Sequence, residues 1–266
     1  YGFLGRNGAG KSTTIRMLLG FARPTCGSCS VGGCDSGRLT PELIARIGYI
    51  NEGHKLYDSM RIGQLRKFQA AFYPQRWNNK LFDEMMAFFE LSGNKRIRKL
   101  SNGQRAQVSL ALTIATDPEI LIMDDPTLGL DVVIRRQFLE GMIKLIQGKG
   151  RTILFSSHIL SDVERVADHI AVIDNGRLRA DCTMDEFRDA VRKIVFQTEP
   201  GHNPQPETIP GMLHYKQDGH TVEAVLVRPD EDKLNQWCRD NKAHIQSELD
   251  MSLEDQFIEY TTTPAK

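Results

Sequence analysis

The sequence has no apolar run approaching 18 residues, so no stretch is long and apolar enough to cross a bilayer as a helix. Neither sign of charge prevails. The 34 Lys and Arg stand against 34 Asp and Glu, which leaves no global electrostatic basis for binding nucleic acid or an anionic membrane surface. Cysteine is scarce. Five among 266 residues cannot frame a disulfide scaffold, and an odd number fits a reducing cytosol. There is no internal repeat, and no basic stretch leads into an apolar one near residue 1, so no signal peptide is visible. An initiator Met is also missing. Tyr1-Gly2-Phe3-Leu4 reads as the inside of a strand, and the expectation is that the true start lies upstream. What is present, 40% hydrophobic and 26% charged residues, is the composition of a globular chain with one large domain or two modest ones.

Short strands alternate with helical patterns. Residues 1–4, 46–50, 119–123, 152–156 and 169–173 read as strands, with helices at 11–19, 132–147 and 159–167. The strands are apolar on both faces, which predicts a parallel sheet covered on both sides. Residues 60–116 read as helices only and interrupt that alternation as an inserted subdomain. Residues 21–40, rich in Gly, Cys, Ser and Thr, read as turns around a short strand. Four prolines within 198–211 mark a linker or long turn. Beyond it, a strand at 221–227 and helices at 231–241 and 253–260 predict a small α+β accessory unit.

Gly5-Arg6-Asn7-Gly8-Ala9-Gly10-Lys11-Ser12 fits the P-loop pattern, between a strand and a helix as that motif requires. Its glycines let backbone N–H groups turn toward phosphate oxygens, and the helix start adds partial positive charge. Lys11 would reach the β- and γ-phosphates, and the Ser12 hydroxyl would bind Mg²⁺. Ile120-Leu121-Ile122-Met123-Asp124 is the matching second half. A buried parallel strand delivers its last residue to the ligand edge of the sheet, where Asp124 can hold Mg²⁺ through a water. In Leu100-Ser101-Asn102-Gly103-Gln104, Ser101 and Gln104 also fit a capping box.

This last pentapeptide resembles the signature of the ATP-binding cassette (ABC) family, usually Leu-Ser-Gly-Gly-Gln. The resemblance runs from residue 1 to about 180, through Asp125-Pro126-Thr127, Gly129-Leu130-Asp131 and Ser156-Ser157-His158. It implies a P-loop α/β ATPase core with a mostly parallel sheet, an inserted helical subdomain and a small C-terminal α+β extension. Residues 1–195 would form the ATP-binding domain, with the helical part at 58–116, and 196–266 an accessory domain. It also implies the ATP-hydrolysing subunit of a membrane transporter, cytoplasmic and peripheral on the inner face of the membrane. Its partners would be a separate transmembrane permease chain and a second copy of this chain, with no nucleic acid. The implied nucleotide contacts are Gly5, Asn7, Gly8, Ala9, Gly10, Lys11, Ser12 and Thr13, joined across a dimer by Ser101, Gly103, Gln104 and Asp131 of the other subunit. Asp125 holds the place of the carboxylate that orients or deprotonates the attacking water, and His158 matches the switch histidine.

Three departures matter. Asp125 replaces the usual Glu and is one methylene shorter; Asn102 replaces a Gly, where tolerance of positive φ would preserve the turn; Glu52 stands where many members have the Gln that joins Mg²⁺ to the helical subdomain. Family members begin earlier, with an aromatic side chain stacked on adenine, so naming ATP rests on the resemblance. The permease-facing surface is expected on the helical subdomain and the loop Glu52–Tyr57, and the tail Ser252–Ile258 resembles exporter-type cassettes. Cys26, Cys29 and Cys34 carry metal-like spacing but no fourth ligand in register, so packing is expected of them. A soluble ABC ATPase acting on DNA or ribosomes would show coiled-coil heptads or a second cassette, and neither is seen. A nucleotide switch that barely hydrolyses is the other alternative, raised by Asp125.

Overall fold

The computed structural model describes residues 1–146, 150–200 and 205–262. Residues 201–204 of the expected linker, and residue 147 of the expected helix, lie outside the described residues. The chain divides into two compact units, Tyr1–Ala167 with Ile173–Arg177, and Asp168–Val172 with the residues from Leu178 onward.

In the first unit, β1 (Gly2–Leu4) leads through the glycine-rich loop into α1 (Lys11–Leu18). The segment read as turns is a hairpin, β2 (Ser30–Val31) and β3 (Cys34–Asp35), then one helical turn, α2 (Pro41–Ile44), capped by Thr40. Next come β4 (Ile47–Ile50) and three helices, α3 (Ile62–Phe72), α4 (Asn79–Phe88) and α5 (Asn102–Ala115). The unit continues through β5 (Ile120–Met123), α6 (Val132–Ile146), β6 (Thr152–Ser157) and α7 (Leu160–Glu164).

Parallel pairing places four of these strands side by side in the order β4-β5-β6-β1. Parallel neighbours need long crossovers, which the helices supply. β5 is an apolar run because both its faces are covered, and Phe155 of β6, Phe138 of α6 and Ile15 of α1 are buried with it. Each such side chain contributes about 1.5–3 kcal/mol when fully buried. Since the strands run one way, Leu4, Ile50, Met123 and Ser157 all end at one edge of the sheet, where ligands of open α/β sheets bind.

β7 (His169–Asp174) has residues in both units. β8 (Arg177–Thr183), α8 (Met184–Ala190), β9 (Val191–Thr198), β10 (Met212–Asp218), β11 (Thr221–Val227), α9 (Glu231–Asp240), β12 (Ala243–Leu249) and α10 (Leu253–Thr262) follow. Four of these strands form an antiparallel sheet in the order β10-β11-β9-β12. Alternate residues Ile194 and Phe196 of β9, and Val222, Ala224 and Leu226 of β11, pack with Leu234 and Trp237 of α9. The Phe196 and Trp237 rings meet edge to face at 5.3 Å. The expected boundary at 195/196 falls inside β9, which is held between β11 and β12 and so belongs to this sheet along its whole length.

Candidate functional site

The glycine-rich loop needs its glycines at specific points. Gly8 and Gly10 have φ of 83° and 114°, a region that side chains with a Cβ rarely adopt. A Cβ on Gly5 would lie 2.6 Å from the Ile173 carbonyl oxygen. Ala9 closes the turn by donating its N–H to the Arg6 carbonyl at 3.1 Å, while Asn7 and Gly8 form the exposed rim. α1 follows Gly10 at its N-cap, with no side-chain cap and no acidic residue in its first turn. Its first N–H groups, next to exposed Ser12 and Thr13, are therefore suited to an anion. Lys11 is buried, and its Nζ donates to the carbonyls of Gly5 at 2.7 Å and Arg6 at 3.3 Å. Burial pulls its pKa down, and the negative charges of Asp125, Asp124 and Glu52 oppose that pull.

The carboxylates stand at the adjoining strand ends. Buried Asp124 accepts from the Ser12 hydroxyl and from the Ser156 hydroxyl, each at 3.0 Å. Ser156 accepts in turn from the Asp125 N–H at 2.9 Å. Asp125 adopts φ 43°, and its Oδ2 lies 2.7 Å from His158 Nδ1. Its other oxygen, Oδ1, is buried with no hydrogen-bond partner among the described residues. The turn is pinned on both sides. The Thr127 hydroxyl donates to Asp162 Oδ2 at 2.7 Å, and His54 Nε2 lies 2.8 Å from the Pro126 carbonyl.

Lys11, Ser12, Asp124, Asp125 and His158 thus form one linked cluster, with exposed Glu52 on the loop after β4. The other expected contacts sit on separate elements. Ser101 and Gln104 form the capping box of α5, with Gln104 N–H to Ser101 Oγ at 3.2 Å. Gly103 is required by packing, since a Cβ there would lie 2.7 Å from Ile134 Cγ2. Asp131 caps α6, accepting from the N–H groups of Val133 and Ile134 at 3.0 and 2.9 Å. Asn102 is the first residue of α5 and is not among the positive-φ residues, so the expected tolerance of positive φ is not called upon. Cys34 packs against the cluster of Ile15, Leu43, Ile47 and Ile122. Sequence reasoning assigned no role to Ser156, Thr127, Asp162 or His54. A serine closing an apolar strand beside two carboxylates was the available signal for Ser156. Nothing local marked His54, whose partner is 72 positions away.

Strand order, anion-ready loop and paired carboxylates define a P-loop nucleotide-binding α/β fold. Residues 1–128 match the family model described as ABC transporter. The bacitracin transport ATP-binding protein BcrA of Bacillus licheniformis is 34% identical over 197 residues, 73% of this chain and 64% of its own length. The ABC transporter ATP-binding protein YtrB of Bacillus subtilis is 30% identical over 260 residues, 97% of this chain and 87% of its own. The chain therefore spans less than two thirds of BcrA but most of YtrB. A solved ATP-binding subunit of an ABC transporter superposes with TM-score 0.62 at 29% identity, over 71% of this chain and 80% of that one. The dimeric ATP-binding cassette MJ0796, bound to ADP and Pi, shares the fold with TM-score 0.60 at 21% identity, over 69% and 84%. The chain belongs to the ABC transporter ATP-binding protein family.

Proposed function

We propose that this chain binds and hydrolyses ATP to power an ABC membrane transporter of the export type. The observation that carries the reading is the cluster at one sheet edge, which joins a phosphate-binding loop to a buried carboxylate with one oxygen unpartnered among the described residues. The loop N–H groups and Lys11 would hold the β- and γ-phosphates. Ser12 and Asp124 are hard oxygen donors already within hydrogen-bond distance of each other, a set that fits Mg²⁺, with Glu52 beside them. When bound, Mg²⁺ offsets phosphate charge. Asp125 Oδ1 would orient or deprotonate the attacking water, and His158 would steady the carboxylate through Oδ2.

Ser101, Gly103, Gln104 and Asp131 would meet the ATP of a second copy, so that ATP closes a dimer and hydrolysis reopens it. A transmembrane permease would dock on the helical part and the loop Glu52–Tyr57. Support comes from exposed Tyr57, Phe68 and Phe72, whose rings meet edge to face in series at 5.4 and 5.1 Å. Among the described residues no helix is long and apolar enough to cross a membrane. In this reading the permease is a separate chain and this subunit is cytoplasmic and peripheral on the inner face of the membrane. Relatives named for bacitracin transport, Nod factor export and daunorubicin resistance support export. Calorimetry tests the phosphate site. Lys11→Ala in the full-length protein should nearly abolish ATP binding, and unchanged affinity would refute the assignment.

A further inference from the structure

His54, within the loop Glu52–Tyr57 but 4% exposed and so turned away from any docking partner, sits in the left-handed region at φ 46°. Its Nε2 is 2.8 Å from the Pro126 carbonyl, and since a carbonyl only accepts, Nε2 carries the proton. Nδ1 is buried with no partner among the described residues. Leaving such an atom unpaired costs about 1–3 kcal/mol. Positive φ at a residue other than glycine adds to that cost. Stability alone would favour a different residue here.

What His54 holds is the peptide just after Asp125. Asp125 is itself left-handed at φ 43°, a conformation that persists only when its surroundings fix it. Ser156 fixes the peptide before it, through the Asp125 N–H at 2.9 Å. His54 fixes the one after, through the Pro126 carbonyl, and the Phe138 ring lies 6.1 Å from the imidazole centroid. Without the His54 bond, the Pro126–Thr127 peptide can rotate and Asp125 can relax, which turns its carboxylate away from where Oδ1 now points.

We propose that His54 is a positioning residue for the Asp125 carboxylate, acting through the Pro126 carbonyl. The proposal rests on the reading of Asp125 as the group that orients the attacking water. Misplacement by about 1 Å can cost about a hundredfold in rate. His54 donates to no residue of the phosphate loop, so ATP affinity should not change.

The test compares three variants of the full-length protein by ATP affinity, melting temperature and hydrolysis at saturating ATP. His54→Asn suits the backbone, since Asn tolerates positive φ, but its amide stops short of Pro126. His54→Gln carries its amide nitrogen the same number of bonds from Cα as Nε2 and can restore the donor. The expected result is hydrolysis about tenfold to a hundredfold lower in His54→Asn, with affinity kept and a melt that is lowered but still cooperative, and recovery in His54→Gln. Normal hydrolysis in His54→Asn, equal loss in both variants, or loss of affinity along with rate would overturn the proposal. Asp125→Asn separates the two claims. If it hydrolyses normally, the reading of Asp125 fails. If it is inactive while His54→Asn is not, only the role of His54 fails.

Discussion

In the proposed function Asp125 is the residue on which rate depends, and its carboxylate is already engaged at aspartate length. Its Oδ2 is already 2.7 Å from His158 Nδ1, and the side chain is buried. A Glu would extend the carboxylate by about 1.5 Å, one carbon–carbon bond. Asp125→Glu should therefore lower steady-state ATP turnover; an increase would mean that the wild-type carboxylate under-reaches. Asp162 has a pH signature. Burial pushes its carboxyl above the ordinary 3.8, against the Thr127 hydrogen bond and the positive charge of Arg135. The folded state thus holds this proton more firmly than the unfolded chain. Its contribution to stability falls as pH rises from 3.8 through the folded-state value, and the cost is fully present above it. Asp162→Asn keeps an acceptor for Thr127 and should remove that part of the pH dependence, as measured by denaturant melts across the acid range. An unaltered slope would assign it to other carboxyls.

At the scale of elements, α5 and α6 meet at Gly103. Adding a methyl there overpacks Ile134, at a cost of about 1–3 kcal/mol. Gly103→Ala should lower stability by that amount, and Gly103→Ala with Ile134→Ala should be less than additive in a denaturant-melt cycle. Full additivity would show that the contact is not the reason for the glycine. The same element shows what could be read in advance. Leu100 to Gln104 named the helix start and its capping box, and the apolar β5 and β6 with the glycine-rich loop named the sheet edge. Each of these signals is local: a period, a cap, a run of one residue class. Contacts between distant residues left no such mark, as with His54 on Pro126 or Asp162 on Thr127. β10 and β12 escaped because they are edge strands. His214 to Asp218 and His244 to Leu249 are exposed, so no alternation of apolar residues betrays them.

At the scale of the whole molecule, the proposed function divides each ATP site between two copies of the chain. Lys11 opens α1 and donates to the loop carbonyl of Gly5, whereas Ser101 caps the start of α5. ATP bound by the first would complete its coordination on the second only across a dimer. Asp125→Asn keeps the shape of the side chain but removes the proposed base, a kind of group that usually contributes about 10²–10⁴ in rate. The most direct measurement is therefore single-turnover ATP hydrolysis by full-length Asp125→Asn, with sedimentation of the same sample. The account predicts hydrolysis lowered by about 10²–10⁴ and an ATP-dependent shift from monomer to dimer. Undiminished hydrolysis, with a mass indifferent to ATP, would contradict it.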